Sequence, residues 1–227
     1  MRMIVIFEKG TELRYIGHLD LMRLMQRALR RSGLPIQYSN GFNPHIRLSF
    51  AAPLSVGVVG LRELMEVPLI EPVTPDVFIT AMNQVLPSCL QIKACKPMQE
   101  DTQTLMALVG GSRYTIRFGR GANEDIAIQK FDAFMSLPEY IATRKTKSGE
   151  NPCDIRAFVK SAHVENTKEA YAIHMETICT AEGALKPSLW LECLCEFAQV
   201  EPFSRVIYRD AILSAKKDGT LVPLEEL

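Results

Sequence analysis

The side chains best suited to chemistry crowd between His18 and Pro53, in the stretch HLDLMRLMQRALRRSGLPIQYSNGFNPHIRLSFAAP. Arg23, Arg27, Arg30 and Arg31 recur at i, i+4, i+7 and i+8, a spacing that gathers their guanidinium groups on one side of a helix. Arginines late in a helix also suit its dipole, so a solvated face is one reading of the row. No acid follows Asp20 before the helix ends, however, and segregation of one charge sign favours phosphate binding over an ordinary mixed surface.

The loop YSNGFNPH carries a sharper signal. Asn40-Gly41 favours a turn with positive φ, and Asn43-Pro44 fixes the next residues as extended or turn. Phe42 is held between these turn formers, either displayed to solvent or folded back as a plug for the core. Tyr38, Phe42, His45 and Arg47 together supply stacking surfaces, a titratable group and a phosphate partner, the ingredients of a single-stranded nucleic-acid site. His18 and Asp20 stand where the helix begins. Asp20 complements the helix N-terminus or pairs with Arg23 or Arg27, and His18 is a general acid/base, a ligand or a hydrogen-bonded structural histidine. His-x-Asp is too small a set for a metal without distant ligands, so no metal is assigned, and His18, Asp20 and His45 stand as the catalytic candidates.

The elements that must position these groups follow a recognisable order. Residues 2–8 read as a strand, 18–32 as a helix stopped by Gly33 and Pro35, and 46–51 and 63–70 as two further strands. A second helix opens at Thr74 with Pro75 in its first turn and ends near Pro87, and a strand over 89–96 closes the set. This is β-α-β-β-α-β, the ferredoxin-like order. After a connector over 98–111 the order recurs, with strands at 112–118, 139–146, 169–179 and 203–213 and helices at 123–136 and 186–197; a short helix or turn is expected at 154–159. The expected fold is therefore α+β, two tandem ferredoxin-like domains over residues 1–97 and 112–227.

Bulk properties bound the function classes. A chain of 227 residues with 47% apolar content is a comfortable length for two globular domains. Its longest apolar runs are far short of the ~18–20 residues that span a bilayer, so no membrane partner is expected. A strand-like segment follows Met1 at once in place of a signal-peptide apolar region, which predicts a cytoplasmic protein. Net charge is zero, yet residues 1–50 hold eight Lys/Arg against three Asp/Glu and residues 161–227 hold six against eleven, a modest hint of a polyanion-facing surface at the N-terminal end. The six cysteines include no C-x-x-C pair, and Cys193-x-Cys195 has poor zinc-chelate spacing. Free, mostly buried thiols in a reducing compartment are expected, and no iron–sulfur cluster held by this chain alone.

The stretch LRYIGHLDLMRLMQRALRRSGLPIQYSNGFNPHIRLSFAAPLSVGV resembles the opening of the radical-SAM-associated family of uncharacterised proteins. His-Leu-Asp, the Arg-rich helix and Gly-Phe-Asn-Pro-His occur there in one order, and CDIRAFV and LKPSLWLECL are similar to the family's later Asp-x-Arg-Pro and basic-Pro segments. Gly17 stands where the family usually has Ser or Thr, Ile46 where a Pro often follows the loop histidine, and Ala157 where Pro follows the arginine. The resemblance implies a radical SAM protein as partner, encoded beside or fused to such chains, with the iron–sulfur cluster, S-adenosylmethionine and cobalamin in that partner and no cofactor here. The expected function is an accessory, non-catalytic protein that binds RNA or another phosphate-bearing substrate through Arg23, Arg27, Arg30 and Arg47, stacks it on Tyr38 and Phe42, and orients it with His18, Asp20 and His45. Two alternatives remain open: a metal-independent endoribonuclease resembling the enzymes that process CRISPR repeat transcripts, with His18 or His45 as general base, and a scaffold whose basic helix docks on an acidic protein.

Overall fold

The first strand carries apolar side chains on both sides of an extended backbone, and only a strand covered on two faces buries both sets. In the structure, a computed structural model that describes residues 1–98, 103–146, 149–180 and 183–226, this segment is β1 (Arg2–Lys9). Met3, Val5 and Phe7 are buried on one face, Ile4 and Ile6 on the other. The chain divides into two compact units, Met1–Gly110 with Arg209–Leu227, and Gly111–Tyr208.

In the first unit β1 is followed by α1 (His18–Arg31), β2 (Ser49–Phe50), β3 (Val58–Pro68), α2 (Pro75–Asn83), β4 (Leu90–Met98) and the single turn α3 (Leu105–Leu108). β1 lies between β3 and β4, antiparallel to both, and β2 pairs with β3. Of the apolar residues at helical spacing in α1, Leu21, Met25, Ala28 and Leu29 are buried and Met22 is half-buried, against Met3, Val5 and Phe7 of β1 and Phe78 and Met82 of α2. Gly33 at φ +71 lets the chain leave the helix in a left-handed conformation. A smaller apolar cluster on the opposite face joins Ile4, Ile6 and Leu64 to Leu105, Ile212 and Leu224.

The second unit contains β5 (Gly111–Gly119), α4 (Ala122–Gln129), α5 (Phe131–Met135), β6 (Ile141–Thr146), β7 (Gly149–Asp154), β8 (Val159–Asn166), β9 (Ala170–Thr180), β10 (Gly183–Ala184) and α6 (Pro187–Ala198). β9 pairs antiparallel with β5 on one side and with β8 and β10 on the other, while β6 and β7 form a hairpin sheet of their own. Its core gathers Tyr114, Ile116 and Phe118 of β5, Ile173 and Met175 of β9, and Phe131, Phe134 and Trp190 of the helices. The chain then enters β11 (Val206–Ala215), which from Arg209 onward belongs to the first unit beside β3 and pairs there with β12 (Leu221–Pro223).

The fold is thus mixed α+β, with antiparallel pairing inside each unit. The β-α-β-β-α-β order occurs in residues 1–98, but a tandem repeat of it is not confirmed. Three features depart from it: the β6–β7 hairpin and β8 add strands, Lys130 breaks the expected 123–136 helix into α4 and α5, and the last long strand leaves its unit. The expected strand over 46–51 shrinks to Ser49–Phe50, because residues 36–47 pair with one another and with the end of β3 instead. Where a 112–227 domain was expected, Arg209–Leu227 groups with the N-terminal part. Residues 99–102 of the expected connector lie outside the described residues. Among the described residues no helix is long and apolar enough to cross a membrane.

Cys153, Cys193 and Cys195 are buried, Cys89 and Cys95 half-buried and Cys179 exposed. Burial, helped by Glu196 and Glu192, pushes the Cys193 thiol from its ordinary 9.0 up to about 12. A folded value above the unfolded one gives stability that is complete below about pH 9 and is lost as pH climbs towards 12. Cys193→Ala is expected to flatten that alkaline loss. Urea midpoints at about pH 8 and pH 10 measure it; parallel shifts in wild type and variant would acquit the thiol.

Candidate functional site

Helix α1 presents Arg23, Arg27 and Arg30 to solvent, opposite its buried stripe. Arg23 Nη1 donates to Asp20 Oδ1 at 3.0 Å, so the acid spends its charge on the first arginine of the row. Arg31 leaves the row altogether, its Nη2 donating to the Val85 carbonyl at 2.7 Å. Arg27 and Arg30 have no ion-pair partner among the described residues. Two cations three residues apart on one exposed face are what the row finally offers a ligand.

The GFNPH loop is the tip of a small hairpin. Ile36 bridges to Leu69 and Tyr38 to Ile46, while Gln37 N–H donates to the Pro68 carbonyl at 2.9 Å, stitching the hairpin base to the end of β3. Ser39 N–H donates to the His45 carbonyl at 2.8 Å, and His45 N–H donates to Ser39 Oγ at 3.0 Å. Gly41 turns the tip at φ +118, a conformation that favours glycine. Phe42 is 110% exposed, so it is displayed and does not plug the core. Tyr38 is exposed on the same hairpin, and Arg47 Nη1 donates to Gln37 Oε1 at 3.2 Å. Gln26 of α1 reaches the Ile46 carbonyl through Nε2 at 3.4 Å, fixing the hairpin against the helix.

Between helix and hairpin lies a cavity of about 420 Å³. His45 and Arg47 line it together with Met22 and Gln26 of α1. His18 and Asp20 are not among its lining residues. The His18 ring packs edge-on against Phe50, centroids 5.3 Å apart, and Phe50 in turn meets Phe7 at 5.7 Å. Among the described residues, His18 has an aromatic neighbour and Asp20 pairs with Arg23. The structure thus joins His45, Arg47 and the α1 face, and sets His18 and Asp20 apart from that cavity.

A second set of charges escaped sequence reasoning. Lys9, Glu63 and Arg209 are all buried in the first unit. Arg209 Nε donates to Glu63 Oε1 at 2.7 Å and its Nη2 to Glu63 Oε2, while Nη1 and Nη2 also reach the Pro53 and Ala52 carbonyls at 3.0 and 3.2 Å. Lys9 Nζ donates to the Arg14 and Ile16 carbonyls at 3.3 and 3.1 Å. Burial holds the Lys9 ammonium below its ordinary value, with Glu63 opposing and Arg209 adding to the depression. The cluster therefore pins the backbone just before α1 and just after β2, the two ends of the segment that carries the candidate residues. The available signal was a charge inside an apolar strand run, as in VIYRDAIL and ELMEV. Gly60, opposite Lys9 in the β1–β3 register, must lack a side chain, since a Cβ would lie 2.4 Å from Glu63 Cγ.

Among the described residues no group of three or more His, Cys, Asp or Glu side chains is placed to hold a metal ion. No functionally curated protein matches the sequence. The fold is similar to that of a chain in the crystal structure of a Cbf5-Nop10-Gar1 complex, with a TM-score of 0.54, 13% identity and 99% of this chain covered. At that identity the likeness shows the fold alone, and this chain spans 53% of the length of that one. A candidate glycine cleavage system transcriptional repressor aligns over 92% of this chain and 98% of its own at 14% identity, but its TM-score of 0.23 carries no argument. A family model matches residues 2–187, most of the 227, and by that match the chain belongs to the family described as uncharacterized proteins conserved in bacteria (DUF2344).

Proposed function

We propose that this protein binds RNA, or another phosphate-bearing substrate, on the α1–hairpin surface of its first unit, as the accessory, non-catalytic partner of a radical SAM enzyme. The observation that carries the binding is the pairing of two unneutralised arginines, Arg27 and Arg30, with a fully displayed Phe42 on a hairpin locked to the same helix. A displayed phenylalanine leaves its apolar area in water, which nothing in the fold repays, whereas base stacking uses it at ~1–3 kcal/mol per base. Backbone phosphates supply the complementary charge for the arginines. The identity of the partner rests on the sequence resemblance in the His-Leu-Asp and Gly-Phe-Asn-Pro-His segments.

Fluorescence anisotropy with a labelled single-stranded RNA tests the binding. Arg27→Ala/Arg30→Ala is expected to weaken affinity about tenfold or more and to make the slope of log K against log salt shallower by about 1.4, two phosphates at ~0.7 each. Phe42→Ala is expected to weaken binding by ~1–3 kcal/mol with the salt slope unchanged. No measurable RNA affinity at low salt would remove the RNA reading. Salt-sensitive association with a radical SAM protein in the absence of RNA, lost in the arginine variant, would reassign the surface to protein docking.

A further inference from the structure

The cavity between α1 and the hairpin has a wall that the phosphate-binding reading does not use. Glu66 of β3 lines it, and that residue is only 4% exposed. Its Oε1 accepts from Leu105 N–H and its Oε2 from Arg2 Nη1 at 3.4 Å. An ionised carboxylate accepts through about four lone-pair positions, so two positions remain after those bonds. Arg2 lines the cavity too and offsets part of this charge, so a ligand seated against the remaining Glu66 positions must present N–H donors. Met22, Ile46, Leu48 and Pro68 supply apolar wall on the other sides. His45 and Arg47 also line the cavity, and the Nδ1 of His45 is engaged by Ser39 at 2.8 Å, which leaves Nε2 for a ligand.

We infer that this cavity is a nucleobase pocket and that it selects guanine. Resting on the RNA-binding reading above, the inference names what that surface would hold: one base turned out of a single strand. The volume of about 420 Å³ falls within the range of small-ligand pockets and suits one nucleotide, far less than a duplex. Guanine alone among the common bases carries two adjacent donors, N1–H and the N2 amino group, on its Watson–Crick edge, and they match the two oxygens of one carboxylate. Adenine and cytosine set an acceptor nitrogen beside their amino group, and that lone pair would face the carboxylate. Uracil flanks its single N–H with two carbonyls. Met22, Ile46, Leu48 and Pro68 offer apolar surface to the base face, as unstacked bases in RNA sites require. The nucleotide's phosphate meets Arg47 at the hairpin and Arg30 on α1, which stands at i+4 from the lining residue Gln26.

Calorimetric titration of the full chain with GMP, IMP, AMP and CMP decides the matter. GMP is expected to bind about tenfold or more tighter than IMP, which lacks the N2 amino group, and tighter still than AMP and CMP. Glu66→Gln keeps an oxygen for Leu105 N–H but loses the charge and one acceptor, and it is expected to bring GMP and AMP within about twofold. If that variant fails to fold, Leu48→Trp, which fills the cavity from its wall, is expected to abolish GMP binding while the salt slope for RNA persists. GMP and AMP binding alike in wild type, GMP selectivity surviving in folded Glu66→Gln, or GMP binding surviving Leu48→Trp would each overturn the pocket. RNA affinity without base preference would sink the pocket and leave the RNA surface standing. GMP selectivity without RNA affinity would do the reverse.

Discussion

Glu63→Ala is expected to lower the free energy of unfolding by about 3–5 kcal/mol, the cost of removing one partner from a buried ion pair. The reason lies in what remains. Arg209 would keep its bonds to the Ala52 and Pro53 carbonyls but lose both Glu63 contacts, and Lys9 would lose the Glu63 charge that opposes its desolvation. Two buried cations would then be left without the Glu63 carboxylate. Replacing both members together, as in Glu63→Leu/Arg209→Met, is expected to recover most of that loss, because apolar pairs of similar volume often match or exceed a buried salt bridge. Urea unfolding of Glu63→Leu, Arg209→Met and the double variant closes the cycle. A coupling below about 0.5 kcal/mol would show the pair to be incidental. The same measurement bears on function, since the carbonyls held by Lys9 and Arg209 bracket the segment carrying α1 and the hairpin. Loosened anchors are expected to weaken RNA binding in Glu63→Ala even though no ligand contact is deleted.

Trp190→Ala is expected to destabilise the second unit by a similar ~3–5 kcal/mol, as large aromatic truncations in cores do. Trp190 is fully buried and packs edge-on against Phe131 and Phe134, with ring centroids 6.1 and 5.5 Å away. Trp190→Phe is expected to cost far less, under about 1.5 kcal/mol. The indole Nε1–H has no hydrogen-bond acceptor among the described residues. Removing it deletes an unsatisfied buried donor, whose penalty is ~1–3 kcal/mol, and offsets part of the lost volume. Far-UV circular dichroism melts measure both variants, since each removes the only tryptophan of the chain. Equal losses in the two would mean that a retained phenyl ring recovers nothing, so that the indole itself and not buried ring volume sets the cost.

The elements whose signals are local were legible without coordinates. The stripe Leu21, Met22, Met25, Ala28 and Leu29, all buried but the half-buried Met22, marked α1 and its arginine face, and Thr74-Pro75 marked the start of α2. These succeed because helical periodicity and end geometry are set by neighbours three or four residues away. The turn chemistry around Asn40-Gly41 likewise announced a sharp bend, and Gly41 makes it. The short β2, the β6–β7 hairpin and the return of Arg209–Leu227 to the first unit were not legible. Each is decided by which strand pairs with which, and pairing is a long-range choice that a single sequence does not encode in its local pattern.

The candidate site divides along the same line. By itself the sequence determined that cations, aromatics and a turn-rich loop would share one short segment, because composition and spacing are properties of the chain. Only the tertiary structure decided which of them are available. Asp20 neutralises Arg23, Val85 takes Arg31, and Phe42 faces solvent when either orientation fitted the loop. It also brought Glu66 from β3 to the wall between α1 and the hairpin, and Arg209 to Glu63 across 146 residues. Burial of a charge and the meeting of distant side chains depend on packing, and packing exists only once the chain has folded.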